Sequence, residues 1–171
     1  MGDTKLMYVG VDTNYKGKIL QVATAIDGTE RGTFDDTIVP QEAVSVSITP
    51  RSNNSLMLIK GMAHYALSYV MTVYLYKDSS ILVQPTNNHG SDNGGGLATL
   101  FNEIHSGGSG SNIHNQSVIY YDENTSFDTR TYTIKIAQDW TSTGGTTWSI
   151  NDRTNSDMSS YSTLAVWEYQ L

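Results

Sequence analysis

The residues whose types could support catalysis or metal binding are four histidines and two pairs of adjacent acids. The histidines occupy positions 64, 89, 105 and 114, and no two have the i,i+4 spacing of a helical zinc protease site. A metal site could still be assembled in three dimensions from His105, His114 and a loop carboxylate such as Asp92. Loop and strand-end histidines are far more often ordinary polar residues, and the chain has no cysteine ligands. The sequence therefore predicts no metal site and no cofactor.

The acids stand side by side at Asp35-Asp36 and at Asp122-Glu123. Neighbouring residues of an extended strand point to opposite faces, so neither pair can form one catalytic centre. Asp122 is expected to cap a turn, because a carboxylate at the end of a strand accepts backbone N–H groups. The glycines at 94–96 lack the following Lys-Ser/Thr of a phosphate-binding loop, and no Gly-x-Ser-x-Gly occurs. No catalytic residue is identified, and the sequence predicts a protein that is not an enzyme.

The composition is that of a strand-forming chain. Ser, Thr and Asn account for 51 of the 171 residues, while the helix-favouring Glu (5), Lys (6) and Ala (8) are scarce. Charged residues make up only 16%, against about 25% in an average soluble protein. A helical bundle and a charged disordered tail are disfavoured, and an all-β fold is predicted.

The net charge and the distribution of apolar residues disfavour two classes of partner, nucleic acids and membranes. The net charge is −7 without any run of Lys or Arg, which disfavours binding to nucleic acid. No apolar stretch approaches 18 residues, so membrane insertion is not expected. The first ten residues carry no secretory signal, and the absence of cysteine suits synthesis in a cytoplasm.

Strands separated by turn signals follow one another along most of the chain. They are predicted at Lys18–Asp27, Thr33–Gln41, Val44–Ile48, Ser55–Gly61, Ser68–Lys77, Ile81–Gln84, Asn115–Tyr121, Thr131–Ala137, a hairpin over Trp140–Ile150, and Tyr161–Tyr169. At most one short helix is expected, around 97–105. Short strands with turns every 8–12 residues are typical of an antiparallel β-sandwich or jelly roll. We predict such a domain at 18–171, preceded by an irregular arm at 1–17.

Two predicted strands carry apolar residues on both faces. They are Ser68–Lys77 and the C-terminal strand Tyr161–Tyr169. A single sandwich buries one face of each sheet, and an uncovered aromatic face is uncommon on a soluble monomer. The sequence therefore predicts self-association. Core or interface roles are favoured for the fourteen Tyr and Trp residues over ligand stacking.

An ordered series of strand motifs resembles the structural modules of tailed-phage virion and tail-fibre proteins. The series consists of Lys18–Val22, Val44–Pro50 with a Ser/Asn turn, Leu56–Ile59, Ile119–Glu123, Arg130–Ile134 and Ser162–Glu168. It spans nearly the whole chain. The resemblance implies a β-sandwich knob, fibre head or capsid decoration that is often trimeric and has no catalytic centre. It also implies a location in the virion and host-surface attachment as the function.

Under this interpretation, two segments of the chain acquire roles. The Gly/Ser/Asn loops at 85–96 and 106–112 are expected to contact a host glycan or receptor, through Asn87, Asn88, His89, Asp92 and Asn93. The arm is expected to attach the subunit to other virion proteins through Leu6, Met7, Tyr8 and Val9, and three-fold self-association follows from the resemblance alone. The alternative is a soluble lectin-like carbohydrate-binding domain that uses its Trp and Tyr surface. A carbohydrate-active enzyme would need two carboxylates about 5–9.5 Å apart in a groove.

Overall fold

The protein is an all-β antiparallel sandwich in which two sheets pack face to face. The computed structural model describes residues 17–35, 39–66, 71–82, 113–138, 147–151 and 160–171. The strands there are β1 (Ile19–Asp27), β2 (Arg31–Asp35), β3 (Gln41–Ile48), β4 (Ser55–Ala66), β5 (Met71–Lys77), β6 (Ser80–Ile81), β7 (Ile113–Asn124), β8 (Arg130–Gln138), β9 (Thr147–Ile150) and β10 (Ser162–Gln170). Within these ranges no helix is long and apolar enough to cross a membrane.

The larger sheet has six strands, and in it the first and the last strand of the described chain, β1 and β10, are neighbours. Its order is β1-β10-β4-β9-β2, and β7 pairs with β4 along the whole length of both strands. The described chain begins at Gly17, whose N–H donates to the Gln170 carbonyl at 2.8 Å beside the start of β1. The smaller sheet has four strands in the order β3-β8-β5-β6. All of these pairings are antiparallel.

The core lies between the sheets and follows the period-two alternation of each strand. Val44, Val46 and Ile48 of β3 face inward, as the sequence predicts. They pack with inward residues of the other strands, including Met57, Ile59, Val73, Leu75, Tyr132, Ile134, Ile136, Trp148, Ile150, Leu164 and Val166. Because the inward residues named here are apolar or aromatic, a one-residue slip of any of their strands would expose core residues, and the register is therefore fixed.

Several predicted boundaries are wrong in informative ways. The strand predicted at Thr33–Gln41 ends instead at Asp35, and Gln41 begins β3 directly after a proline, which cannot donate to a sheet. β4 continues past Gly61 to Ala66. The glycine does not end the strand: a Cβ there would lie 2.7 Å from both Ile134 Cδ1 of the opposite sheet and the Thr163 backbone oxygen of β10, so the packing at this position favours glycine.

Two further strands differ in length from their predictions. Ile81–Gln84 is reduced to the two-residue strand Ser80–Ile81, and β7 extends beyond Asn115–Tyr121 at both ends. The described part of the hairpin predicted over Trp140–Ile150 is β9, which pairs with β2 and β4. The first half of that hairpin and the helix considered around 97–105 lie outside the described residues.

The second face of β5 is buried within a single chain. Thr72 and Tyr74 point away from the core, yet they are 1% and 7% exposed. The prediction that this face needs a second subunit to cover it is therefore wrong. The self-association argument now depends on β7 of the larger sheet, which pairs only with β4 among the described strands and leaves Ile119 58% and Tyr121 55% exposed.

Candidate functional site

The outer face of the six-stranded sheet is the most distinctive surface of the described protein. Strand register arranges its side chains in three rows that run across β1, β10, β4 and β7. The rows are Ile26–Thr163–Met62–Ser117, Thr24–Ala165–Lys60–Ile119 and Val22–Trp167–Leu58–Tyr121. Most members are apolar or aromatic, and the flanking strands leave theirs open to solvent, with Ile26 at 72% and Ile119 at 58% exposed. We call this surface the open face.

A groove of about 500 Å³ crosses the centre of the open face. Its floor lies at Ala165, a small side chain between Thr24 on β1 and Lys60 on β4. The Trp167 ring borders it on one side, and Met62 borders it on the other. This size is ordinary for a small-ligand site, and a mostly apolar lining with a few polar groups is the usual character of such sites.

Among the described residues that line the groove, Lys60 is the only one with a charged side chain. It is exposed, and within the described part of the chain it forms no ion pair. The acid that follows it on the same face is Glu123, which lies two rows along and one strand across. Ordinary strand spacings put the Cα atoms of Lys60 and Glu123 roughly 14 Å apart. At that distance an exposed carboxylate is largely screened from the ammonium group at physiological salt.

The inner side of the same sheet holds two buried carboxylates, and neither lines the groove. Asp122 and Glu168 flank Met57 on neighbouring strands. Asp122 Oδ2 accepts the Tyr132 hydroxyl at 2.6 Å and pairs with Lys77 Nζ at 2.6 Å, both from the opposite sheet. Asp122 therefore links the two sheets, and its predicted turn-capping role is wrong because it lies within β7.

Glu168 has a similar structural role at one end of the sandwich. Its carboxylate accepts the backbone N–H groups of Arg51 and Ser52 at 2.9 to 3.0 Å and the Gln21 side-chain amide at 2.8 Å. Beside it, the Asn124 amide donates to the Ser52 carbonyl at 2.7 Å. These contacts hold the β3–β4 turn against β10 and occupy the acids that acid–base chemistry would otherwise use.

The opposite end is closed by Asn151, which adopts a left-handed backbone conformation with φ 58°. Its side chain donates to the Asp27 carbonyl at 2.8 Å and accepts the Ser162 hydroxyl at 2.7 Å. The Ser162 hydroxyl in turn accepts the His64 backbone N–H at 3.0 Å. Four strand ends are thus joined at one buried polar cluster, which fixes β10 against β4 beneath the groove.

The residues proposed from sequence for receptor contact and for virion anchoring lie outside the described residues. This applies to the whole of 85–96, to 106–112 and to residues 1–16 of the arm, and also to His105 and Asp92. His114 lies in β7 and stacks on Tyr65 with ring centroids 6.1 Å apart. His64 is half-buried in β4, where desolvation lowers the pKa of its imidazole. No cluster of three metal-ligating side chains occurs among the residues that the structure describes.

Sequence reasoning missed the groove but contained one signal for it. The outward residues of β10 include Ala165 and Trp167, and the sequence shows that this strand is apolar on both faces. That pattern was interpreted as an interface between subunits. A search for a lone lysine on an otherwise apolar strand face would have added Lys60 of β4.

Comparison of the chain with models of known protein families and with curated proteins finds no match to either.

Proposed function

We propose that this chain is a non-enzymatic structural protein of a tailed-phage virion and that its open face takes part in attachment to the host surface. The proposed position is a tail-fibre head, a tail knob or a capsid decoration, with synthesis in the host cytoplasm. Its partners are other virion proteins, further copies of the chain and a host glycan or receptor.

The observation that carries the attachment role is the groove on the open face. A rigid ring at Trp167, apolar groups around Ala165 and a lone cation at Lys60 provide binding groups. Among the described residues that line this groove there is no carboxylate or imidazole to act as a general acid or base. Such a surface favours recognition over chemistry. The assignment to a virion is supported by the ordered strand motifs and by the neutral-polar, cysteine-free composition.

The virion assignment is tested on purified phage particles. Antibodies raised against the chain, detected with gold in electron micrographs, should label one defined position on particles whose genome carries the gene. Particles that lack the chain by both labelling and mass spectrometry would refute the assignment.

The attachment role is tested separately by adsorption of the purified chain to host cells. Trp167→Ala removes the ring beside the groove and should reduce adsorption at least tenfold. Phe127→Ala is the control, because it also removes an aromatic ring, and Phe127 is 58% exposed in the β7–β8 turn, away from the groove. Equal adsorption by both variants would place the attachment surface elsewhere.

The second candidate is a lectin-like domain that acts outside any particle. The half-buried indole of Trp167 in an open groove favours it, since aromatic faces bind the apolar faces of sugar rings. Carbohydrate binding by the chain together with its absence from particles would select this candidate.

A further inference from the structure

We infer that the groove on the open face binds an acidic saccharide, whose carboxylate pairs with Lys60 while one of its sugar rings packs on Trp167. This inference rests on the proposed attachment function and specifies the ligand of the same site. It goes beyond that function by committing to the charge and to the chemical class of the surface molecule.

The charge of the ligand follows from the isolation of Lys60. The chain as a whole carries a net charge of −7, which repels anions in general. Within the groove, however, the described lining residues supply one ammonium group and no carboxylate. The neighbours of Lys60 in its row are Ala165 and Ile119, neither of which can compensate its charge. An anionic group placed there would gain an ion pair that no residue of the described chain already makes.

The saccharide class follows from the groups around Lys60. The Trp167 indole offers a flat π face on which the C–H bonds of a pyranose ring can pack. Thr24, Thr163 and Ser117 border the groove with hydroxyls that can both donate to and accept from sugar hydroxyls. A phosphate or sulfate ligand would need several charged donors, and the described lining provides a single cation.

An acidic peptide fits the groove less well. Peptides that bind sheets usually add a strand to an open edge and use backbone hydrogen bonds. The groove instead lies over β10 and β4, which are interior strands whose backbone groups are already paired on both sides. Only side chains are therefore offered to a ligand, which suits a ring-shaped molecule with its own hydroxyl groups.

The geometry allows both contacts to be made by one short oligosaccharide. Lys60 lies one row along and one strand across from Trp167. Ordinary strand spacings therefore put their Cα atoms about 8 Å apart. That is close to the length of one to two sugar units, and Ala165 leaves the space between them free. A larger side chain at 165 would divide the groove.

The test uses the full chain and a panel of oligosaccharides that end in glucuronic, galacturonic or sialic acid. Each is paired with its carboxyl-reduced, neutral counterpart, and affinities are measured by titration calorimetry. At least one acidic member should bind at least tenfold more tightly than its neutral counterpart. Lys60→Met, which keeps the length of an exposed side chain, should remove that preference, while Phe127→Ala should leave it intact. Ala165→Leu should weaken both the acidic and the neutral ligand.

Three outcomes overturn the inference. They are the absence of binding by every acidic member, a preference that survives Lys60→Met, and displacement of the bound saccharide by an oligoglutamate peptide of equal charge. Cell adsorption of the same variants separates this inference from the proposed function. If Trp167→Ala abolishes adsorption but Lys60→Met leaves it unchanged, attachment through the groove stands and the acidic class is rejected. If neither variant affects adsorption, attachment through the groove is refuted.

Discussion

Replacement of Tyr132 by phenylalanine should change both the size and the pH dependence of the protein's stability. Tyr132 is fully buried, and its hydroxyl donates to Asp122 Oδ2 at 2.6 Å across the two sheets. Tyr132→Phe keeps the ring and removes only the donor, while Asp122 retains its pairing with Lys77. A hydrogen bond to a charged group contributes about 2 kcal/mol, so the free energy of unfolding should fall by about that amount at pH 7.

The difference between the two proteins should shrink at alkaline pH. Burial, and then the adjacent Asp122 carboxylate, raise the pKa of Tyr132 far above its ordinary value near 10. Above pH 10 the unfolded chain loses the Tyr132 proton and the native protein keeps it. The native state then binds more protons, and stability that is fully present below pH 10 is lost as the pH rises. By pH 11 this loss amounts to about 1.4 kcal/mol in the wild type and is absent from Tyr132→Phe.

Urea unfolding followed by tryptophan fluorescence at pH 7, 9, 10 and 11 measures both effects. Tyr161→Phe serves as the control at pH 7, because Tyr161 is 60% exposed and loss of its hydroxyl should change stability by less than about 0.5 kcal/mol. If the wild-type and Tyr132→Phe stabilities ran parallel from pH 7 to 11, the inter-sheet hydroxyl would not have the role assigned to it here.

Three other predictions concern the core, the buried acid and self-association. Gly61→Ala should destabilise the protein by about 2 kcal/mol, since the new methyl group would lie 2.7 Å from Ile134 Cδ1. Gly28→Ala should cost less, because only the ring of the exposed Tyr161 must move. Urea unfolding of the two variants measures the difference. Glu168→Ala should cost about 3 kcal/mol and lower the melting temperature by roughly 6 to 12 °C in calorimetry, because the Arg51 and Ser52 N–H groups lose their buried acceptor. An unchanged melting temperature would contradict this. Light scattering of the wild type should give three times the 18.8 kDa chain mass. Tyr121→Glu on the exposed edge strand β7 should reduce the measured mass to that of one chain. A wild-type mass of one chain would refute self-association.

The fold could be predicted from the local sequence pattern because each core strand carries its own period-two alternation of apolar residues. The alternation over Gln41–Ile48 allows only one face of the strand to be buried, and the structure confirms that face. Strand ends were harder, because they depend on residues distant in sequence. Gly61 has the local character of a strand end, yet Ile134, more than seventy positions later, makes glycine the favoured residue in the middle of β4.

The groove could not be predicted in the same way, because no single segment contains it. Its walls come from β1, β10 and β4, and Thr24, Ala165 and Lys60 become neighbours only through two strand pairings. Sequence reasoning located binding in polar loops, since loops often carry function on a rigid scaffold. The sequence shows that β10 is apolar on both faces. Without the strand register, however, it does not decide between a subunit interface and a ligand site on the outer face.

The same register also makes the open face a suitable binding surface. Its inner side is fixed by Leu164 and Val166, which cannot change face without exposing the core. The positions of Trp167 and Lys60 relative to each other are therefore determined by residues that do not contact a ligand. A substitution at Lys60, the exposed residue of β4 in the groove, can change the charge that the groove offers without disturbing the sandwich, because exposed positions contribute little to stability. Under the proposed attachment function, such a change would alter ligand preference while the constrained inner face keeps the fold.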